Sequence, residues 1–151
     1  MKNSKSIFLV EDDEDEQFLF IEALKEVKNA TLYDVANNGK EALDKLEKSS
    51  APPDLIFMDI NMPVMDGIEC LSTIIKNPKT KNIPVVILST ATEKKQLMKK
   101  LGAKAFLEKP WKDKIRKENI EQMINLDFIT DSDIANQTIQ PKFGSLSTDI
   151  I

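Results

Sequence analysis

Short apolar runs alternate with amphipathic stretches along this chain, and this alternation constrains the fold more than any other feature. The runs lie at about residues 6–10, 31–36, 54–58, 84–88 and 105–108. Strand and helix units in series predict a parallel sheet that is covered by helices on both faces. The first, third and fourth runs are continuously apolar, as expected of strands buried on both faces, whereas the shorter and more polar second and fifth runs predict edge strands.

The segments between the runs predict five helices, at residues 14–27, 39–48, 67–76, 92–101 and 111–124. Apolar residues recur in them at helical spacing, which predicts the faces that pack on the sheet. Three of these predicted faces are Phe18, Ile21, Leu24 and Val27 in the first helix; Leu97, Met98 and Leu101 in the fourth; and Ile115, Ile120, Met123 and Ile124 in the fifth.

The pattern stops near residue 125. Beyond it the chain is rich in Thr, Ser, Asp, Asn and Gln with scattered apolar residues, which indicates a flexible or partner-dependent segment, with an ordered strap or short helix as the alternative. We therefore expect one domain over residues 1–125 and a C-terminal extension over residues 126–151.

Composition excludes several kinds of chemistry. The chain has no histidine, which removes Ser-His-Asp and Cys-His hydrolases and any phosphohistidine within the chain. Its single cysteine, Cys70, cannot form an internal disulfide, and we expect a reducing, cytoplasmic compartment. The net charge of -4 argues against direct nucleic-acid binding, and no stretch is long and apolar enough to predict a membrane span.

Polar residues directly follow the first, third, fourth and fifth predicted strands. Glu11, Asp12 and Asp13 follow the first strand, Asp59 the third, Ser89 and Thr90 the fourth, and Lys109 the fifth. In an open parallel sheet the carboxyl ends of the strands form one rim, where ligands bind. Crowded carboxylates need a cation, and an all-oxygen cluster suits Mg²⁺. Asp59 could then attack phosphorus, with Lys109 and Ser89 contacting the phosphoryl oxygens.

Four segments carry a resemblance to a known family. They are VEDDEDE at residues 10–16, LIFMDINMPVMDG at 55–67, VVILSTA at 85–91 and GAKAFLEKPW at 102–111. In this order, over roughly residues 5–125, they closely resemble the landmarks of response-regulator receiver domains of two-component signalling. The resemblance implies an α/β, flavodoxin-like, doubly wound sheet of five parallel strands, order 2-1-3-4-5, with five helices.

The resemblance also implies a role for each matching residue. Asp59 corresponds to the phosphoacceptor, Asp12 to a direct metal ligand, Glu11 to a ligand acting through water, and Asn61 to a residue whose backbone carbonyl contacts Mg²⁺. Ser89 corresponds to the switch hydroxyl, Lys109 to the lysine that contacts the phosphoryl group, and Phe106 to an aromatic residue that changes rotamer on activation. Two departures, Glu-Asp for Asp-Asp and Ser89 for threonine, keep the chemistry.

The function that follows is a stand-alone switch rather than an enzyme. A histidine kinase or histidine phosphotransfer protein would supply the phosphoryl group. Phosphorylation would then change which proteins bind to the face made by the fourth helix, fifth strand and fifth helix, and a second copy of the chain is one candidate partner. Ala91 has no side chain to orient a hydrolytic water and Asn61 is weakly suited, so we expect slow autodephosphorylation.

Simpler interpretations remain for some of these residues. Asp13 to Glu16 are expected to be a solvated, dipole-complementing helix start, Asp66 and Gly67 a turn, and Trp111 a packing residue. Phe106 is equally consistent with plain core packing. The lysines of the fourth helix, Lys94, Lys95, Lys99 and Lys100, are expected to be solvated, with docking of an acidic partner as the alternative.

Two alternative functions stay open. A Mg²⁺-dependent aspartyl phosphatase shares the acyl-phosphate chemistry but needs a general acid two residues after the nucleophile, where this chain has Asn61. A degenerate receiver could act only as an interaction scaffold, although the presence of Asp12, Asp59, Ser89 and Lys109 argues against it.

Overall fold

The computed structural model of the chain describes residues 4–126 and 148–150. Within these ranges it contains five parallel strands in the order of the chain, which are β1 (Lys5–Val10), β2 (Ala30–Ala36), β3 (Leu55–Asp59), β4 (Val85–Ser89) and β5 (Ala105–Glu108). A short sixth strand, β6 (Thr148–Ile150), follows near the C-terminus. The other predictions for the C-terminal extension, at residues 127–147 and 151, lie outside the described residues.

Five α-helices connect the parallel strands or follow them. They are α1 (Glu14–Lys25), α2 (Gly39–Lys48), α3 (Gly67–Lys76), α4 (Lys95–Leu101) and α5 (Asp113–Asn125). The predicted fourth helix is divided, because its first turn, Thr92–Lys94, is a 3-10 helix that leads into α4. Among the described residues, every helix is too short or too polar to span a bilayer.

The strand order is β2-β1-β3-β4-β5-β6, and every neighbouring pair is parallel except β5 and β6. The predicted doubly wound sheet of order 2-1-3-4-5 with five helices is therefore confirmed. The prediction that the fifth strand forms an edge is wrong, since β6 pairs with it in antiparallel fashion. Composition cannot reveal this pairing, because any exposed strand edge accepts a strand through backbone hydrogen bonds.

Successive residues of a strand point to opposite faces of the sheet, and this alternation divides the core into two apolar clusters. On one face, Phe8 and Ile87 pack with residues of α2, α3 and α4, among them Leu71 and Met98. On the other face, strand residues such as Phe57 pack with residues of α1 and α5. Both faces are thus buried, which is why the central strands are apolar except at their ends.

The prediction of a packed position is wrong for three residues. Phe18 is 63% exposed, and Leu97 and Ile115 are also exposed. In α1 the residue that fills the core is Phe20, 2% exposed, whose ring meets that of Phe57 edge-on with the centroids 5.0 Å apart. Four consecutive apolar residues, FLFI at 18–21, cover every side of a helix, so the spacing alone cannot decide which side packs.

The sequence predicts that Ile115 of α5 packs on the sheet, but the neighbouring Arg116 is the residue that is buried. Its side chain is buried, and its guanidinium donates to the Asp113 carboxylate at 2.6 Å and to the Trp111 carbonyl at 3.3 Å. These bonds compensate part of the cost of burying a cation. Trp111 is buried in the apolar cluster that contains Phe57, as the packing interpretation predicts.

A pair of substitutions tests the orientation of α1. Phe20→Ala removes a fully buried ring and should lower the free energy of unfolding by about 3–5 kcal/mol. Phe18→Ala alters an exposed side chain and should change it by less than about 0.5 kcal/mol. Urea unfolding followed by circular dichroism measures both variants, and equal losses would show that α1 packs differently.

Candidate functional site

The carboxyl ends of the four adjacent strands β1, β3, β4 and β5 meet along one edge of the sheet. Asp59 is the last residue of β3 and Ser89 the last of β4, while Glu11 and Lys109 directly follow β1 and β5. The strand register places Asp59 beside Leu88 and Ser89 beside Glu108. The rim predicted from the strand ends is therefore present.

Three carboxylates crowd together on this rim. Glu11, Asp12 and Asp59 each offer one oxygen atom, and these atoms lie within 4.8 Å of one another. Glu11 is buried, Asp12 is exposed, and the Asp59 side chain is 15% exposed. The exposed side of the cluster lets a ligand reach Asp59 from solvent.

Lys109 is the cation that faces this cluster. Its ammonium group is hydrogen-bonded to Glu11 and lies 3.8 Å from Asp59 Oδ2. Burial alone would lower the pKa of Lys109, but the hydrogen bond with Glu11 and the charge of Asp59 outweigh it, so the pKa is raised. Lys109 therefore carries a fixed positive charge at neutral pH beside the carboxylate of Asp59.

One lysine does not balance three carboxylates. Burial raises the pKa of Glu11 even though Lys109 opposes the shift, and burial together with the neighbouring Glu11 raises the pKa of Asp12. Both shifts mean that the fold disfavours the negatively charged forms of Glu11 and Asp12. A further cation at the rim would relieve this repulsion.

The donor set fits a hard divalent cation. All three side chains present oxygen atoms, and the exposed Asp12 leaves room for water molecules, which Mg²⁺ retains when it binds to proteins. Asp59 is oriented within the cluster, because its Oδ1 accepts a hydrogen bond from the Ile60 backbone N–H at 2.7 Å. Glu11, Asp12 and Asp59 are the residues that could hold such an ion.

Ser89 is buried at the end of β4, and its hydroxyl oxygen accepts a hydrogen bond from the Ala91 backbone N–H at 3.0 Å. A hydroxyl has one donor hydrogen besides its acceptor lone pairs. The contact with Ala91 therefore fixes the position of the oxygen and leaves the hydrogen to be donated to a ligand at the rim.

The remaining two predicted site residues are Asn61 and Phe106. Asn61 is exposed in the loop that follows β3. Phe106 is buried among apolar residues such as Met98, so it packs as a core residue in this conformation. The metal-binding carbonyl of Asn61 and the rotamer change of Phe106 stay predictions.

Two nearby acidic residues have structural roles instead. Asp13 caps the N-terminus of α1 by accepting from the backbone N–H groups of Asp15 and Glu16, and Asp66 caps α3 by accepting from Glu69. These contacts are consistent with the simpler interpretations of the two residues, because a side-chain oxygen at a helix start satisfies otherwise unpaired backbone donors.

Two supporting residues were not predicted from the sequence. Gly67 lets α3 begin against the strand, since a Cβ atom there would lie 2.3 Å from the Asp59 carbonyl oxygen. Gln17 ties α1 to the rim, because its side-chain amide donates to the Glu11 carbonyl at 2.5 Å and to Asn37 Oδ1 at 2.8 Å. A glycine at the first position of a helix is a weak signal of close approach, and Gln17 has none.

A model of the response regulator receiver domain matches residues 7–125. A curated relative, the protein-glutamate methylesterase/protein-glutamine glutaminase of Desulfotalea psychrophila, is 40% identical over 118 residues, which are 73% of this chain and 30% of that protein. The chain also covers only 26% and 27% of two further relatives with the same activities in their names. It thus spans less than a third of the length of these relatives.

Solved structures of similar size also match. The phosphorylated cyanobacterial phytochrome response regulator RcpA is 30% identical with a TM-score of 0.72, and the match covers 80% of this chain and 91% of RcpA. The Mn²⁺-bound response regulator Rcp1 is 28% identical with a TM-score of 0.71, covering 83% of this chain and 99% of Rcp1.

The crowding of carboxylates leads to a prediction about stability and metal. In metal-free buffer, Asp12→Asn should raise the free energy of unfolding by less than about 1 kcal/mol, because it removes one of the repelling charges at an exposed position. Mg²⁺ should stabilise the natural protein by mass action and the variant less.

Thermal unfolding with and without Mg²⁺ measures both effects. Asp15→Asn is the matched control, since it removes the same charge from the exposed start of α1 outside the cluster. An equal response of all three proteins to Mg²⁺ would contradict a metal site at this rim.

Proposed function

The chain belongs to the response regulator receiver family, and on that premise we propose that it is a phosphorylation switch whose acceptor is the carboxylate of Asp59. The receiver domain would comprise residues 1–125, with residues 126–151 as an extension. The observation that carries the proposal is the position of Asp59, accessible to solvent, grouped with Glu11 and Asp12 and facing the ammonium group of Lys109.

In the proposed reaction a carboxylate oxygen of Asp59 attacks the phosphorus of a phosphohistidine on another protein. An O–P bond forms, the P–N bond breaks, and the electron pair stays on the imidazole nitrogen of the donor. Lys109 would shift part of its interaction from Glu11 to the phosphoryl oxygens, and Ser89 would donate its hydroxyl hydrogen to another of them. Positioning and charge stabilisation account for most catalysis of phosphoryl transfer.

We propose Mg²⁺ as the cofactor. Asp12 would be a direct ligand, Glu11 would act through water, and Asp59 together with the backbone carbonyl of Asn61 would complete the protein's contribution. When bound, the ion neutralises charge on both the carboxylates and the phosphoryl group. The oxygen cluster supports this assignment, as does the Mn²⁺ in the related Rcp1 structure.

The output of the switch would be a change in protein binding. Once phosphate draws Ser89 toward Asp59, rearrangement around Phe106 would alter the face made by α4, β5 and α5. Partners in this proposal are a histidine kinase or histidine phosphotransfer protein as donor, and a target protein or a second copy of the chain as receiver of the signal. We propose a cytoplasmic location on the basis of the family and expect no direct contact with nucleic acid.

A single incubation separates this function from the alternatives. With acetyl phosphate and Mg²⁺, intact-protein mass spectrometry should show the mass increase of one phosphoryl group, and Asp59→Asn should abolish it because the acceptor is gone. Asp66→Asn is the control, since Asp66 is an aspartate in the following loop with a capping role. Turnover of a phosphoester would instead indicate a phosphatase, and no modification would indicate a scaffold.

The phosphorylated form should be long-lived. Ala91, which is largely buried beside Ser89, has no polar group to orient a water molecule for attack on the acyl phosphate. After removal of the donor, the modification should persist for minutes or longer, and Ala91→Asn should shorten its lifetime by supplying an amide. A half-life of seconds in the natural protein would contradict this expectation.

A further inference from the structure

The last described strand covers an edge that the receiver sheet would otherwise expose. β6 pairs with β5 in antiparallel register, with Ala105 opposite Ile150, Phe106 opposite Asp149 and Leu107 opposite Thr148. The pairing extends the sheet by one strand beyond β5. A bare β5 edge would present unpaired backbone groups, which accept strands from other chains.

The groups that β6 covers can be named from the alternation of the backbone. The N–H of Lys104 donates to the Val85 carbonyl at 2.9 Å and therefore points toward β4. Neighbouring residues of a strand direct their N–H and C=O groups to opposite sides, so those of Ala105 and Leu107 point outward. By the register, their partners in β6 are the backbone groups of Ile150 and Thr148, while the N–H of Asp149 points away from β5.

This edge lies in the middle of the surface that the proposed function assigns to output. Phe106 of β5 shares an apolar cluster with Met98 of α4, and its neighbours Ala105 and Leu107 share the other cluster with Ile120 of α5. The outer edge of β5 is consequently the strip between α4 and α5. A partner that reads this face meets β6 first.

We propose that residues 148–150 are a displaceable cover of the β5 edge, and that the edge beneath is a docking surface for an extended polypeptide segment that pairs through its backbone. Strand addition of this kind obtains its affinity from main-chain hydrogen bonds. The location on the output face rests on the proposed function, whereas the cover itself rests only on the pairing of β5 with β6.

The size of β6 is what makes the cover displaceable. It has three residues and pairs on one side only, and such short, peripheral strands open more readily than the central strands of a sheet. The connection to α5, residues 127–147, could span roughly 70 Å if extended. Its length therefore does not confine β6 to this edge, and the pairing with β5 is the observed contact that places the strand there.

Proline substitutions in the full chain test the cover. Thr148→Pro combined with Ile150→Pro removes the two N–H groups that face β5, whereas Asp149→Pro removes one that faces away and is the matched control. In the double variant the amides of Ala105 and Leu107 should exchange with deuterium about tenfold faster than in the natural protein, with Asp149→Pro nearly unchanged. The Phe106 amide, which points toward β4, should keep its protection in all three proteins.

A second measurement tests whether the uncovered edge accepts a strand. A synthetic peptide with the sequence of residues 144–151 is added at millimolar concentration, and amide shifts are followed by NMR. Shifts at Ala105 and Leu107 that saturate at lower peptide concentration in the double variant than in the natural protein and Asp149→Pro would support the proposal. The proposal would be overturned if the amides of Ala105 and Leu107 exchanged at the same rate in the double variant and in Asp149→Pro. It would also be overturned if the peptide caused no shifts, or shifts that saturate at the same concentration, in all three proteins.

Neither measurement involves phosphate, so the two proposals fail separately. A chain that takes no phosphoryl group on Asp59 can still show the expected exchange at Ala105 and Leu107. A chain that is phosphorylated normally but shows no difference between the proline variants would retain the switch and lose the cover.

Discussion

Burial of the parallel sheet on both faces is the constraint on which the rest of this structure depends. Two apolar clusters enclose the central strands, so charged groups have no place along those strands and stand where the strands end. Because the strands run parallel, their carboxyl ends lie along one edge. The grouping of Glu11, Asp59, Ser89 and Lys109 is thus a consequence of how the core is made.

Electrostatics then determine what this edge can do. Lys109 holds Glu11 and stands 3.8 Å from Asp59, yet it leaves the cluster with an excess of carboxylates. An excess of negative charge at a partly open site favours a cation, and a cation in turn favours an incoming phosphoryl group. The residues whose charges repel one another at the rim are therefore the ones that we propose for phosphoryl transfer.

Much of this arrangement could be predicted from the sequence, for a physical reason. Apolar runs indicate strands that are buried on both faces, and the polar residues directly after them indicate the rim. The strand order expected of the family and the positions of Asp59 and Lys109 at strand ends agree with the structure. The buried side of α1 could not be predicted, because apolar residues lie on every side of the helix at positions 18–21. Phe20, and not Phe18, is buried because its ring packs against the ring of Phe57. The close approach at Gly67 and the pairing of β6 depend on backbone contacts, which side-chain patterns indicate weakly at Gly67 and not at all for β6.

The rim is proposed to bind a phosphoryl group at Asp59 with the help of a divalent cation. Beryllofluoride, which mimics an aspartyl phosphate, can be titrated into the protein with and without Mg²⁺ while backbone amides are followed by NMR. Such binding predicts Mg²⁺-dependent shifts centred on the Ile60 amide that contacts Asp59, the Ala91 amide that contacts Ser89, and Lys109. Shifts that are absent, independent of Mg²⁺, or centred away from these strand ends would contradict it.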